Sequence, residues 1–231
     1  MKLGILSDIH GNHAALAVVL AKFRRQGVTE LLFLGDMVGY YPFAKECVAM
    51  LADFSVTSVR GNHDHVALNC MEENIRTDEQ YRHAYGSALD RALDQHDAAT
   101  EMFLKALPLE QQLTVEGRLL RLYHGSPWDA LEGRVYPDFH EWQRFETLGA
   151  DVVLLGHTHY PVLRQCGPAL VLNPGSVGQP RHRSGVACAA LLDVPALTAS
   201  LLEIPYDPAA LIADARHHDP DLPYLTRVLQ R

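Results

Sequence analysis

What the chain is short of narrows its class before any motif is read. It has four cysteines, Cys47, Cys70, Cys166 and Cys188, widely spaced and with no C-x-x-C pair. That excludes a disulfide framework and a thiolate zinc site, and fits buried apolar thiols in a reducing compartment. Long hydrophobic runs are also missing. The longest, Ala14 to Ala21 and Val186 to Leu192, fall well below the ~18 residues that a bilayer span requires. Near Met1 the apolar segment is interrupted by Asp8 and His10, where an export signal would stay uncharged. A cytoplasmic protein with no membrane partner is expected. Positive charge is in deficit, with 20 Lys and Arg against 28 Asp and Glu and a net charge of -8, which disfavours a chain that grips nucleic acid through its phosphates. No internal repeat, low-complexity tract or Gly, Ser or Pro-rich linker divides the sequence. A Walker-type G-x-x-x-x-G-K-[ST] is absent, so a nucleotide would be a substrate and not an energy source.

What is there is 231 residues, 48% hydrophobic and 21% charged, enough for one substantial core, and one domain over residues 1–231 is expected. Lys2 to Ser7 reads as a strand, Asn12 as a helix cap and Ala14 to Phe23 as a helix. Leu31 to Leu34, a helix from about Phe43 to Phe54, and Ser55 to Val59 repeat the alternation that builds a helix-flanked, mainly parallel sheet. A helical insertion or cap is expected over about 66–110. Within it, Thr77 to Leu107 reads as two helices broken near His96-Asp97. Gln111 to Val115 and Leu119 to Tyr123 flank a Gly-containing link and predict a hairpin. A helix around Asp138 to Leu148 is followed by strands at Asp151 to Leu155, Val162 to Gln165, Ala169 to Leu172, Val186 to Leu192 and Ala199 to Ile204. An α/β fold, a four-layer α/β/β/α sandwich of two mixed sheets flanked by helices, accommodates both halves.

Thirteen histidines are many for this length, and several sit beside Asp, Asn and Gly. Five places carry the chemistry: Asp8-Ile9-His10, Gly35-Asp36, Gly61-Asn62-His63-Asp64, His124-Gly125 and Gly156-His157-Thr158-His159. Each follows the end of an apolar run. Residues two apart on an extended segment face one side, so Asp8 with His10, and His157 with His159, are expected to present ligands in pairs. Sites in α/β sheets gather at the carboxyl ends of strands, where all five segments are expected to converge. Carboxylates and imidazoles without thiolates suit divalent transition ions, and one carboxylate can bridge two of them. Asp36, alone after its strand, is the candidate bridge. Gly35, Gly61, Gly125 and Gly156 are expected to supply sharp turns and close approach.

These residues, in this order, resemble the calcineurin-like metallophosphoesterase superfamily, whose pattern D-x-H, G-D, G-N-H-[D/E], a His and G-H-x-H is complete over positions 8 to 159. The stretches Gly35 to Tyr40 and Asn173 to Arg181 are similar to the small bacterial and archaeal YfcE-like phosphodiesterase branch. The resemblance implies that Asp8, His10, Asp36 and His159 hold one metal, that Asp36, Asn62, His124 and His157 hold the other, and that His63 is the catalytic histidine. It implies a dinuclear phosphoesterase, acting on phosphodiesters, that hydrolyses by in-line attack of a metal-bridging hydroxide. Manganese is the expected ion, with iron, zinc, nickel and cobalt also admitted by the donors. His63, as imidazolium, would assist the leaving oxygen, and Asp64 beside it would hold the ring and its tautomer.

Other residues have plainer readings. Asn12 is a helix cap before it is a phosphate contact. Tyr40 and Tyr41 pack locally before they stack on a leaving group. Arg181 is a phosphate candidate whose surroundings depart from the family's longer versions, and no substrate-binding residue is assigned. The expected partner is a phosphate ester, a nucleotide among the candidates. Nucleic acid is not favoured, and a homo-oligomer is compatible with the sequence. The alternatives are a phosphomonoesterase, a protein phosphatase or dinucleoside tetraphosphatase of the same superfamily, and a non-catalytic metal-binding scaffold. Met37-Val38-Gly39-Tyr40 after Asp36, where those phosphatases have Val-Asp-Arg-Gly, weighs against the protein and dinucleotide readings.

Overall fold

The computed structural model describes residues 1–230. Its first sheet grows from short apolar segments that each deliver a polar end. β1 (Lys2–Leu6), β2 (Glu30–Phe33) and β3 (Ser55–Ser58) run parallel. β9 (Val186–Asp193) joins antiparallel to β1, and β10 (Thr198–Pro205) to β9. The order is β10-β9-β1-β2-β3. The second sheet has the order β4-β5-β6-β8-β7. It contains the expected hairpin of β4 (Glu110–Val115) and β5 (Arg118–Tyr123), then β6 (Val152–Leu154), β7 (Pro161–Cys166) and β8 (Ala169–Pro174). Both sheets are mixed, as the sequence predicts.

Alternation along each strand decides what lies on which side. Leu3 and Ile5 of β1, Leu120 and Leu122 of β5, Val152 and Leu154 of β6, and Ala190 and Leu192 of β9 are buried together in one cluster between the sheets. Leu6, Phe33 and Ala187 face the other way, against α1 (His13–Arg25), α2 (Ala44–Leu51) and α3 (Asn62–Glu73). In α1 the buried stripe is Ala15, Leu16, Val19, Leu20 and Phe23, the spacing of one helical face. Each such leucine or phenylalanine removed from water contributes about 1.5–3 kcal/mol. Asn12 caps α1 as expected, its Oδ1 accepting from the Ala15 N–H at 2.9 Å, while its amide donates to the Gly178 carbonyl and the Tyr206 hydroxyl. It is structural.

Three local expectations change. The segment before β4 holds three helices and not two: α4 (Glu79–Tyr85), α5 (Ala88–Gln95) and α6 (Ala98–Ala106). The additional break falls at Gly86, whose φ of 84° leaves the helical region. Gly61-Asn62 does not simply close the third unit but opens α3, with Gly61 as its cap. Over the second sheet, the helix expected at Asp138 to Leu148 is a 3-10 helix, Trp142–Thr147. Trp142 and Phe145, three apart with ring centroids 5.7 Å from each other, eclipse in the three-residue turn, and both bury against Val153 and Val171. The fourth layer is therefore thin.

Past β10, α7 (Ala209–His218) and α8 (Tyr224–Gln230) pack Leu211, Ala215, Leu225 and Leu229 against Tyr40 and Tyr41. Among the described residues no helix is long and apolar enough to cross a membrane. All four cysteines are free and buried.

Candidate metal centre

The ends of β1, β2, β3, β5 and β6 meet at one edge of the molecule, and the five motifs meet with them. Their backbone is not extended there. Asp8, His10, Asp36, His157 and His159 all take left-handed conformations, with φ of 55°, 52°, 61°, 64° and 62°. Side chains two apart still converge, but through alternating left-handed turns and not through strand alternation. Each such residue costs about 1 kcal/mol or more, and Asp and His tolerate the region better than branched residues. Main-chain pairing offsets the strain. The N–H groups of Asp8, His10 and Gly11 donate to the carbonyls of Gly35, Asp36 and Met37 at 2.9, 2.9 and 2.8 Å, so the two loops zip together beyond their strands. Of the four glycines singled out, Gly35 does turn left-handed, at 89°. Gly61 is required by proximity, since a Cβ there would lie 2.0 Å from Asp36 Oδ1.

Three imidazoles are aimed by main-chain carbonyls. Nδ1 of His10 donates to Val38 O at 2.9 Å, Nδ1 of His159 to Gln179 O at 2.8 Å and Nδ1 of His124 to Leu34 O at 2.7 Å. A carbonyl only accepts, so each ring carries a proton on Nδ1 and turns Nε2 inward, as a lone pair wherever the ring is neutral. In consequence His10 Nε2 and His159 Nε2 face each other at 3.0 Å, two acceptors with no proton between them. Asp8 Oδ1 lies 3.3 Å from His159 Nε2 and 3.8 Å from His10 Nε2, and it has no hydrogen-bond partner. A second group assembles around His124. Its Nε2 is 3.1 Å from Asn62 Oδ1 and 3.4 Å from Asp36 Oδ2, and His157 Nδ1 is 3.1 Å from the same Asn62 oxygen. Asp36 Oδ2 lies 3.7 Å from His10 Nε2 as well, so it stands between the groups, buried and unpartnered. Its Oδ1 accepts from the His63 N–H at 2.9 Å.

Inward lone pairs and orphaned carboxylate oxygens fit a cation, and Asp8, His10 and His159, or Asp8, Asp36 and His124, are close enough to hold one. The charges follow the same logic. Burial opposes ionisation of Asp8, but His159 and then His124 hold its carboxyl down at about 2. Burial also opposes charge on His124, yet Asp36 and then Asp8 lift it to about 10. Burial, then His124, brings His157 down to about 4. Arg134 donates to His157 Nε2 at 3.2 Å, which puts that ring's proton on Nδ1, toward Asn62. Ligation through Nδ1 requires the proton to change nitrogen.

Two expectations about His63 and Asp64 are corrected. Asp64 does not hold the His63 ring. Its carboxylate accepts from the N–H groups of Asp36 at 2.8 Å, Met37 at 2.8 Å, Val38 at 3.3 Å and Gly61 at 3.0 Å, so it ties the loop after β2 to the start of α3. Three of the four partners are backbone groups 26 to 28 residues away, which no side-chain motif reveals; the fourth, Gly61, is the cap of the same helix. The ring of His63 meets Tyr81 instead, at 2.5 Å between Nδ1 and the hydroxyl. Burial pushes His63 below its ordinary value, which favours a neutral ring over the expected imidazolium.

His63, Asp36, Asn62, His157 and His159 line a cavity of about 170 Å³, with Arg134, Arg181, Tyr40 and Tyr85 on its walls. Arg181 also donates to the Tyr40 hydroxyl at 3.2 Å. Tyr40 lies edge-on to His10, at 4.6 Å between centroids; Tyr41 is fully buried and packs away from the cavity. Arg134, Tyr81 and Tyr85 have no motif around them in the sequence. A larger groove of about 850 Å³ beside Asp78, Arg82 and Asp219 contains none of the motif residues.

Strand ends that deliver buried carboxylates against inward-facing imidazoles define a metallohydrolase. The chain belongs to the calcineurin-like phosphoesterase superfamily, whose domain model matches residues 1–196. It is a metal-dependent phosphoesterase. Protein MJ0912 of Methanocaldococcus jannaschii is 29% identical over 226 residues, covering 89% of this chain and 88% of that one. Phosphodiesterase YfcE of Escherichia coli strain K12 is 30% identical over 195 residues, covering 78% and 82%. The crystal structure of a metallophosphoesterase from Sphaerobacter thermophilus superposes with a TM-score of 0.79 at 26% identity, covering 99% of this chain and 98% of its own.

Proposed function

We propose that the protein is a dinuclear phosphodiesterase in which Asp8, His10, Asp36 and His159 hold one divalent ion and Asp36, Asn62, His124 and His157 hold the other. The observation that carries this is the unpartnered Asp36 Oδ2, poised between two donor groups. Such ions, manganese by preference and iron, zinc, nickel or cobalt by donor type, would supply the Lewis acidity that activates water and polarises phosphate. The diester preference follows the likeness to the phosphodiesterase YfcE. Free, buried thiols support a cytoplasmic setting.

The chain's own residues contribute position and charge. Carbonyls of Val38, Leu34 and Gln179 keep three imidazoles aimed inward. Arg134 and Arg181 place two guanidinium groups on the cavity wall, where a phosphate anion is drawn in and oriented. His63, neutral and at the cavity wall, donates a hydrogen bond to the oxygen on which charge develops as the ester bond breaks.

The test is the initial hydrolysis rate of bis-p-nitrophenyl phosphate beside p-nitrophenyl phosphate, with added manganese, for the wild type and Asp36→Ala. Faster diester cleavage that vanishes in the variant supports the proposal. Monoester preference turns it to a phosphomonoesterase, and silence of the metal-loaded protein on both esters favours the scaffold reading.

A further inference from the structure

We infer that Tyr81, on α4, is a positioning residue that fixes the tautomer and the aim of His63. The inference rests on the phosphoesterase reading of the cavity and adds to it a residue from the helical segment that carries none of the metal motifs.

Three observations support it. The Tyr81 hydroxyl lies 2.5 Å from His63 Nδ1, which engages no other group, since Asp64 is turned to the backbone. The ring is also enclosed: His63 meets Tyr85 at 4.7 Å and Tyr81 at 5.5 Å between centroids, both near edge-on, and Tyr40 at 5.4 Å. Its swing about the side-chain bonds is thereby blocked. Third, α4 is itself pinned. Asp78 caps it by accepting from the Tyr81 N–H at 2.7 Å, and the Tyr224 hydroxyl donates to the Ala84 carbonyl. The helix that follows it is tied to the same face of the chain: Asp219 accepts from the N–H and hydroxyl of Ser87, the cap of α5, at 2.8 and 3.0 Å, and Arg91 within α5 makes a two-pronged pair with Asp214 of α7, each contact 2.9 Å.

The chemistry assigns the proton. A phenol, titrating near 10, is a far stronger acid than a neutral imidazole N–H, so the hydroxyl donates and Nδ1 accepts. Burial pushes the Tyr81 phenol well above its ordinary value, which keeps that donor protonated. With Nδ1 occupied as an acceptor, the ring proton of neutral His63 resides on Nε2, the nitrogen left for the cavity that His63 lines. Rotation or the opposite tautomer would present a lone pair to an ester oxygen, which repels it. Tyr81 makes no contact with substrate in this account and acts only through His63.

The test compares wild type, Tyr81→Phe, His63→Ala and the double variant, on aryl methyl phosphodiesters whose leaving phenols run from p-nitrophenol to phenol. Tyr81→Phe is expected to lower kcat about tenfold on the phenyl ester and less on the p-nitrophenyl ester, with KM and metal content unchanged. In the His63→Ala background it is expected to change nothing further. The second readout needs no turnover. In the zinc-loaded full-length protein, the ring-nitrogen NMR shifts of His63 are expected to report a proton on Nε2 in the wild type and a tautomer mixture in Tyr81→Phe. An unchanged tautomer, or an equal fall in kcat with and without His63, overturns the role of Tyr81. Inactivity of the wild type on every ester overturns the phosphoesterase reading alone, because the nitrogen shifts still decide on Tyr81.

Discussion

The main-chain N–H of His63 donates to Asp36 Oδ1 across 2.9 Å. This bond divides the carboxylate: one oxygen belongs to the first turn of α3, and the other is left to face both imidazole groups. Asp36→Asn keeps the shape and removes the charge. Its metal affinity is expected to fall by more than the ~10–100-fold that loss of an outer partner brings, with unchanged circular dichroism. Full metal content by elemental analysis after dialysis would refute the bridging role.

His63→Ala separates catalysis from ligation. The donor group His10, Asp36 and His63 is compact enough to hold an ion, so the outcome is informative in either direction. A fall in kcat of about 10²–10⁴ with intact metal content is expected of a residue that assists the leaving oxygen. Loss of metal would move His63 among the ligands.

For Asp64 the expected defect is stability. Asp64→Ala strands four buried N–H groups, each worth about 1–3 kcal/mol when left unsatisfied, so denaturant unfolding is expected to shift by about 3 kcal/mol or more. A variant of wild-type stability that turns over slowly would instead return Asp64 to the role of partner to His63.

Metal-free protein offers a pH test. His124 is lifted from 6.5 to about 10 in the fold, so its ion pairing contributes stability that is complete below pH 6.5 and is lost as pH rises to about 10. Metal loading displaces that proton. The stability gained on adding zinc is therefore expected to grow between pH 6.5 and 9.5, and a pH-stat to record proton release. A gain that is flat with pH would mean His124 is not a ligand.

How much of this was legible in the sequence depends on where each signal resides. Asp8, His10, Asp36, His124 and His159 announce themselves because carboxylates and imidazoles at strand ends are the donors a metal site would need, and the two mixed sheets follow from alternation and apolar runs. The left-handed backbone at Asp8, His10, Asp36, His157 and His159 was not legible, because Asp and His only tolerate that region and tertiary pairing imposes it. Asp64 stands in the motif, yet its function is spelled in backbone N–H groups 26 to 28 positions away and beside it. Tyr81 sits in a charged helical stretch with no site pattern, and only the folding of α4 onto α3 brings it to His63. The break at Gly86 had a signal, a glycine after Tyr85, that the strong helical propensity around it masks.

The four N–H groups gathered on Asp64 form a concave nest, the kind of backbone cradle that elsewhere captures a free phosphate or sulfate. Here the cradle is occupied from within. A carboxylate tethered three residues into α3 cannot be washed out or outcompeted, so this backbone cradle is closed to any anion from outside. Arg134, Arg181 and the histidines of the cavity wall are the groups left open to an anion that enters from solvent.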